Sequence, residues 1–131
     1  MTRFADTFYF LALLNRRDSA HLSAVNHSRG PEGILTTEWV LTELADALAS
    51  RTKRQEFKIV YEFLRSDPHV EIVPSDPGLF RQGIEFYLAR NDKDWSLTDC
   101  ISFVIMKQHG IGEALTGDHH FEQAGFRALL K

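Results

Sequence analysis

Apolar and polar residues follow one another along the chain in segments that switch between a strand pattern and a helix pattern. Short apolar runs bounded by turn residues predict five strands, at residues 3–5, 33–36, 70–73, 114–116 and 126–129. Apolar residues at helical spacing predict helices at residues 7–15, 18–27, 38–50, 53–66, 77–90, 97–109 and 119–123. Strands that alternate with helices predict an α/β fold, in which a parallel sheet is covered by helices on both faces.

Local chemistry explains several of these boundaries. Residues 28–31 (SRGP) interrupt a helical pattern with turn-forming residues. Asp67 precedes a proline, which disfavours helical backbone at Asp67 and ends the helix there. Asp76 is placed to cap the next helix, with Pro77 at its first position.

The composition is that of a folded protein of modest size. The chain has 131 residues, 44% of them hydrophobic and 25% charged, which is enough to bury a core without crosslinks. We expect a single domain over residues 1–131. The one cysteine, Cys100, excludes an internal disulfide and favours a reducing compartment.

Neither a membrane segment nor a secretory signal is predicted. The longest apolar run, residues 8–14, falls far short of the roughly 20 residues that cross a bilayer. Asp6 interrupts the approach to that run, and no small-residue cleavage site follows it. The sequence therefore predicts a cytoplasmic protein.

The net charge of the chain, −3, counts mildly against a large, sequence-independent nucleic-acid surface, although an acidic active site would itself lower the total.

Two aspartates stand at equivalent points in the predicted fold. Asp6 and Asp118 each follow a predicted strand and precede a helix. Sites in parallel α/β sheets form beyond the carboxyl ends of the strands, so both carboxylates are expected at that edge. Each is equally suited to cap the helix that it precedes, because an Asp oxygen accepts the free N–H groups there. Both interpretations stay open for each residue.

Asp99 and Glu43 are the acidic residues on helices that are best placed to lie near Asp6 and Asp118. Asp99 lies on a helix that is apolar on almost every side, so its carboxylate needs a partner such as a cation. Ser96 and Asp99 also fit a capping box, in which Glu or Gln is the usual third residue. Glu43 lies at the edge of an apolar stripe, whereas Glu38 and Asp46 point further away. The alternative for Glu43 is a salt bridge at the boundary of the core.

Four carboxylates without a matching set of Cys or His ligands favour a hard cation, Mg²⁺ or Mn²⁺. Two such ions about 4 Å apart activate water and stabilise the leaving oxygen of a phosphodiester. His119 and His120 beside Asp118 suggest zinc instead. However, neighbouring helical residues point about 100° apart and further Cys or His ligands are missing, so the pair is not expected to share one metal.

Several segments resemble the PIN domain, especially the small bacterial toxin ribonucleases of VapC type. Asp6-Thr7 resembles the opening of that family, and Thr36-Thr37 followed by Glu43-Leu44 resembles its strand-then-Glu segment. Residues 96–99 (SLTD) resemble its third acidic motif, and residues 116–126 (TGDHHFEQAGF) resemble its closing segment. The resemblance runs nearly end to end.

The resemblance implies a three-layer α/β/α fold with a central five-stranded parallel sheet, and a Mg²⁺- or Mn²⁺-dependent endoribonuclease. It implies a homodimer held by a small antitoxin protein. The acidic quartet would be Asp6, Glu43, Asp99 and Asp118, as catalytic residues and metal ligands. Supporting roles would fall to Thr7, Asp94 and Thr116. RNA contacts are predicted for Arg16, Arg17, Arg51, Lys53 and Arg54, although a solvated helix start is the favoured interpretation of the last three.

Two other functions remain open from the sequence. A non-catalytic PIN-like module that binds RNA or protein would share the fold without the chemistry. A phosphoryl-handling α/β domain, such as a receiver or a haloacid-dehalogenase-like phosphatase, would use Asp6 as a phosphorylated nucleophile. The phosphatase would also place a second Asp at position 8, where this chain has Phe8.

Overall fold

The computed structural model describes all residues, 1–131, and contains one five-stranded sheet with seven helices. The strands are β1 (Thr2–Ala5), β2 (Gly33–Thr37), β3 (Val70–Val73), β4 (Glu113–Leu115) and β5 (Arg127–Ala128). The helices are α1 (Thr7–Leu14), α2 (His21–Ser28), α3 (Glu38–Ala47), α4 (Arg54–Ser66), α5 (Pro77–Ala89), α6 (Leu97–Gln108) and α7 (His119–Gln123). The predicted α/β fold with five parallel strands is confirmed.

The strands lie in the order β3-β2-β1-β4-β5, and every neighbouring pair is parallel. The chain therefore places β2 and then β3 on one side of β1, crosses back, and places β4 and then β5 on the other side. Right-handed connections that run in opposite directions place their helices on opposite faces of a sheet. The contacts agree, because α1, α3 and α4 pack in one group and α5, α6 and α7 in another. The result is three layers.

The core lies on both faces of the sheet. Its largest fully buried side chains include Phe4 on β1, Leu35 on β2 and Phe103 on α6. Aromatic rings connect the α6 layer to the short helix α7, since Phe103 and Phe121 meet edge to face with centroids 5.0 Å apart. α6 is buried almost all round, as its sequence predicted. This packing fixes the position of the acid that α6 carries.

Three elements differ in length from the sequence-based prediction by two or more residues. The helix predicted at 18–27 begins only at His21, because the side chains of Asn15 and Asp18 accept backbone N–H groups and form turns there. α3 ends at Ala47 rather than at residue 50, where the Leu48 N–H bonds two carbonyls of the last turn. β5 covers two residues instead of four, since its partner β4 is itself only three residues long.

The predicted caps at Asp67 and Asp76 are confirmed. Asp67 has extended backbone at the end of α4, and the Asp76 carboxylate accepts the Leu79 N–H at 2.9 Å. None of the seven helices combines the length and the apolar composition that a membrane crossing requires.

Candidate active site

The candidate site lies where the order of strands reverses. β1 and β4 are neighbours in the sheet, yet α-helices on opposite faces follow them, so a crevice opens beyond their carboxyl ends. Asp6 comes directly after β1 and Asp118 comes three residues after β4. The predicted positions of these two aspartates are therefore adjacent in the fold.

Asp6 is a buried carboxylate that does not cap its helix. It occupies the N-cap position of α1, but its side chain accepts no capping hydrogen bond. Instead Thr116 Oγ1 donates to Asp6 Oδ2 at 2.9 Å. Only 6% of Asp6 is exposed. The side chain of Asp6 therefore does not cap α1, and its role as a metal ligand stays a prediction.

The electrostatic environment of Asp6 disfavours its charged form. Burial raises the pKa of Asp6 from 3.8 to about 7; the Thr116 hydroxyl opposes this rise, while the negative charges of Asp99 and Glu43 add to it. An acid this deeply buried would ionise at far lower pH beside a positive charge. The raised pKa therefore marks a site that lacks a cation among its own side chains.

Glu43 joins the site through the first turn of α1. The Thr7 hydroxyl donates a short hydrogen bond to Glu43 Oε1. Glu43 is half-buried, whereas Glu38 and Asp46 on the same helix are exposed. The helical geometry predicted from the sequence is correct, and the alternative of a salt bridge at Glu43 is not what the structure shows.

Asp118 and Thr116 form a compact turn at the end of β4. The Thr116 hydroxyl accepts the Asp118 N–H at 3.1 Å while it donates to Asp6. Asp118 also caps α7, because its Oδ1 accepts the His120 N–H at 2.9 Å. One hydroxyl thus connects two acidic residues that follow different strands. The capping interpretation of Asp118 is confirmed, and its role as a metal ligand stays a prediction.

Asp99 also caps the start of α6. It completes a capping box in which Ser96 Oγ accepts the Asp99 N–H at 3.0 Å and Asp99 Oδ2 accepts the Ser96 N–H at 3.1 Å. The imperfect box predicted from the sequence is therefore real. Burial raises the pKa of Asp99 despite the Ser96 N–H, and the charge of Asp118 raises it further. Asp99 supports its helix and also contributes charge to the site.

The two histidines after Asp118 lie closer together than we expected. Their ring centroids are 4.4 Å apart, and one ligand atom from each of Asp118, His119 and His120 lies within 4.8 Å of the others. The expectation that neighbouring helical side chains diverge is wrong here. Both residues stand in the first turn of a helix capped by Asp118, and both Nδ1 atoms turn back toward that carboxylate.

His120 is the residue that sequence reasoning undervalued. Its Nδ1 lies 3.3 Å from Asp99 Oδ2 and 3.3 Å from Asp118 Oδ1. It therefore lies between two of the four acids. The available signal was its position next to an acidic residue at a predicted strand end, but the contact with Asp99 depends on how α6 and α7 pack.

Other predicted residues lie away from the acids. Asp94 is exposed in the loop before α6 and forms no hydrogen bond or ion pair with the quartet. Arg16 and Arg17 follow the end of α1 that is opposite to Asp6, about 12 Å along the helix axis. The basic residues after α3 likewise lie beyond the end of a helix that begins at the site: Arg51, Lys53 and Arg54. All five of these basic residues are exposed, and RNA contact by them stays a prediction.

The residues present fit a divalent cation. Only His119 and His120 lie within ion-pair distance of the quartet, and no Lys or Arg forms an ion pair with any of the four acids. Buried, unpaired carboxylates are costly, and carboxylate oxygens are what Mg²⁺ and Mn²⁺ take as ligands. Asp6, Glu43, Asp99 and Asp118 are the donors available for it.

Relatives of known activity match the chain over almost all of its length. The 23S rRNA-specific endonuclease VapC20 of Mycobacterium tuberculosis is 27% identical over 124 residues, which is 94% of each chain. The crystal structure of VapC20, described as a sarcin–ricin loop cleaving toxin, superposes with a TM-score of 0.83 at 26% identity and covers 96% of both chains.

More distant solved structures share the fold. VapBC2 from Rickettsia felis, bound to a DNA fragment from its promoter, has a TM-score of 0.69 at 13% identity and covers 98% of this chain and 97% of the other. FitAcB from Neisseria gonorrhoeae has a TM-score of 0.65 at 19% identity and covers 100% and 97%.

The similarity to these proteins is consistent with the cluster of acidic residues beyond the carboxyl ends of the strands. The chain is homologous to an rRNA-specific endonuclease toxin from end to end. Residues 3–127 match the PIN domain, and the chain belongs to the PIN domain family.

Proposed function

We propose that this chain is a metal-dependent endoribonuclease that hydrolyses phosphodiester bonds of RNA and serves in the cytoplasm as the toxin of a type II toxin–antitoxin pair. The observation that carries the proposal is the buried carboxylate of Asp6, with which no Lys or Arg forms an ion pair and which Thr116 connects to Asp118 at the switch point of the sheet. Homology to VapC20 supports the choice of RNA as substrate.

The quartet Asp6, Glu43, Asp99 and Asp118 would hold Mg²⁺ or Mn²⁺. Such an ion, when bound, supplies an activated water and neutralises charge on the phosphate. The surrounding hydroxyls fix the directions of the carboxylates before any ion arrives: Thr116 holds Asp6, and Thr7 holds Glu43. Preorganised ligands of this kind bind without the cost of ordering flexible side chains.

Hydrolysis requires a water oxygen to form a bond to phosphorus while a phosphorus–ester oxygen bond breaks. The acidic site excludes the negatively charged backbone unless a cation lies between them, because like charges repel strongly at short range. The proposal therefore makes activity strictly dependent on added metal.

Four single substitutions test the proposal: Asp6→Asn, Glu43→Gln, Asp99→Asn and Asp118→Asn. Each keeps the size of the side chain and removes one negative charge. We expect each to lower Mn²⁺-dependent cleavage of 23S rRNA by 10²-fold or more, since a missing preorganised group costs about this much. Asp46→Asn is the matched control, because Asp46 is exposed on the same helix as Glu43.

Undiminished cleavage by the Asp6 and Asp99 variants would refute the nuclease proposal. A wild-type chain that takes up no Mn²⁺ at millimolar concentration would favour the alternative, a non-catalytic PIN-like binding module. Circular dichroism of each variant separates loss of function from loss of fold.

An antitoxin is the second element of the proposal. A groove of about 650 Å³ lies between α1 and α4, and Ile59 and Phe63 on its wall are 66% and 61% exposed. Exposed apolar surface of this kind marks a protein interface. We infer that an apolar segment of a small antitoxin covers it, in line with the likeness to VapBC structures.

Co-expression with the small protein encoded beside this chain tests the antitoxin site. Phe63→Glu should abolish copurification and protection from toxicity, because it places a charge in an apolar contact. Leu22→Glu is the control, since Leu22 is 75% exposed on α2 and does not line the groove. Equal loss of binding in both variants would contradict this site.

A further inference from the structure

A phenylalanine of α1 packs against the turn that follows β4, at the one residue of that turn without a side chain. Gly117 separates Thr116, which donates to Asp6, from Asp118. A Cβ added to Gly117 would lie 2.5 Å from Cζ of Phe8, 2.9 Å from Cε1 and 3.1 Å from Cε2. Non-bonded carbon atoms attract best at about 3.5–4.0 Å. A side chain at residue 117 and the ring of Phe8 therefore exclude each other.

The approach of this ring, and not the backbone conformation, is what requires a glycine at residue 117. Positive φ occurs among the glycines at Gly110 and Gly125 and not at Gly117, so other residues could adopt its backbone conformation. Gly117 also forms no backbone–backbone hydrogen bond. The three heavy atoms nearest to the position of an added Cβ all belong to Phe8. The contact with Phe8 is thus the interaction that the turn makes at this residue.

The first turn of α1 contacts the site on two sides. Thr7 donates to Glu43 on α3, and the next residue, Phe8, packs against the turn between β4 and α7. Phe8 is half-buried and packs against the hydrophobic core. Displacement of its ring would expose apolar surface that is now buried, which costs free energy. The ring therefore resists movement of the turn toward α1.

We propose that Phe8 is a positioning residue of the metal site: its ring lies against Gly117 and fixes the turn in which Thr116 and Asp118 meet Asp6. The inference rests on the metal site of the proposed function, and it adds to that site an apolar side chain that binds no metal itself. Phe8 and Gly117 form a matched pair, because the size of the ring is compatible only with the absence of a side chain at residue 117.

A double-mutant cycle of Mn²⁺ binding, measured by calorimetry, tests the pair. Gly117→Ala should weaken binding about 10-fold or more, as loss of the orientation of metal ligands does, because the added methyl group displaces the turn. Phe8→Leu removes Cζ, Cε1 and Cε2, the three atoms that this methyl group would meet. Phe8→Leu alone should weaken binding less, since it removes a contact without creating an overlap. The variant with both substitutions should bind Mn²⁺ more tightly than Gly117→Ala.

Phe57→Leu is the matched control for the rescue. Phe57 is also half-buried, but it lies on α4 and stacks on Tyr61. It loses the same three atoms when replaced by Leu, and this change should not restore Mn²⁺ binding to Gly117→Ala. Restoration by Phe8→Leu and not by Phe57→Leu separates a specific positioning contact from a general change in stability, which denaturant unfolding of each variant measures.

The amide signal of Leu130 in ¹H–¹⁵N spectra reports on the turn in the absence of any ion. The Leu130 N–H donates to the Thr116 carbonyl at 3.0 Å, and Leu130 is distant in sequence from both substitutions. This signal should shift in Gly117→Ala and return toward its wild-type position when Phe8→Leu is added.

Gly117→Ala with wild-type affinity for Mn²⁺ would refute the inference, since the ring would then move aside without effect on the turn. A loss of affinity that Phe8→Leu does not relieve, or that Phe57→Leu relieves equally, would also refute it. If Gly117→Ala does not fold, the variant with both substitutions should fold and bind Mn²⁺, and its failure counts against the pair. A wild type that binds no Mn²⁺ contradicts the proposed function, and the Leu130 signal then decides separately whether Phe8 positions the turn.

Discussion

Thr116 has no charge, yet it organises the charged residues of the site. Its hydroxyl donates to Asp6 and accepts from the backbone of Asp118, so one oxygen fixes the relative positions of two acids. Thr116 is fully buried.

Thr116→Val removes the hydroxyl and keeps the shape of the side chain. We expect it to weaken Mn²⁺ binding about 10- to 100-fold, as loss of a group that orients metal ligands does, and to raise the pKa of Asp6 further because the opposing hydrogen bond is lost. Calorimetry with Mn²⁺ measures the first effect.

Thr116→Ser should restore most of the affinity, because it returns the hydroxyl. Thr42→Val is a control for the chemical change alone, since Thr42 is exposed and bonds only to its own helix. An affinity for Mn²⁺ in Thr116→Val equal to that of the wild type would contradict the role given to this residue.

At the scale of elements, the approach of α5 to α6 determines where Asp99 stands. Gly83 on α5 is buried, and a Cβ added there would run into Ile101 on α6. The absence of a side chain at residue 83 therefore allows the two helices to lie close together. α6 starts with the capping box of Asp99, so this helix contact bears on the site.

Gly83→Ala is expected to destabilise the protein. Overpacking costs about 1–3 kcal/mol, and the better helix propensity of Ala offsets about 1 kcal/mol of that. Denaturant unfolding measures the net change. Gly112→Ala is the control, because a Cβ at residue 112 meets nothing within 4 Å. A Gly83→Ala variant at least as stable as the control would show that α6 can shift freely.

The sequence was a good guide to the order of elements and a weaker guide to their contacts. Helical periodicity separated Glu43 from its acidic neighbours, and the alternation of strands and helices predicted the sheet. The cap by Asp118 is local and could be predicted, whereas the hydrogen bond from Thr116 to Asp6 depends on β4 lying beside β1. The meeting of His120 with Asp99 depends on packing between α6 and α7. Local patterns carry no information about such pairs.

At the scale of the whole molecule, the acid cluster makes the metal-free protein unusually sensitive to pH. The pKa of Asp6 is about 7 in the folded chain and 3.8 as a reference value. The folded state therefore holds a proton that the unfolded state releases between these values. Stability falls as the pH rises through this window, by up to about 4 kcal/mol from Asp6 alone, and the raised pKa of Asp99 acts in the same direction.

Thermal unfolding in EDTA should thus show a melting temperature that drops between about pH 4 and pH 7. Asp6→Asn should flatten this dependence and make the metal-free protein more stable than the wild type at pH 8. Added Mn²⁺ should stabilise the wild type far more than the variant. A wild-type melting temperature that rises with pH in EDTA would contradict the predicted loss of stability at higher pH.

The surface of α5 bears on assembly. Phe80, Tyr87 and Leu88 are 44%, 43% and 68% exposed, and their spacing places them on one stripe of the helix. The homodimer implied by the family resemblance would bury this stripe. Light scattering should give the mass of a dimer for the wild type and for the control Leu22→Glu, and the mass of a monomer for Leu88→Glu. A monomeric wild type would disprove the predicted homodimer.

The parallel pairing of β1 with β4 has a consequence for the making of the protein. Asp6 and its partner Thr116 lie 110 positions apart along the chain. A ribosome therefore produces the whole of this interval before the two central strands can meet. A nascent chain that stops before β4 lacks Thr116 and Asp118, so it cannot assemble the candidate site. The order of strands thus makes completion of the site depend on the synthesis of β4.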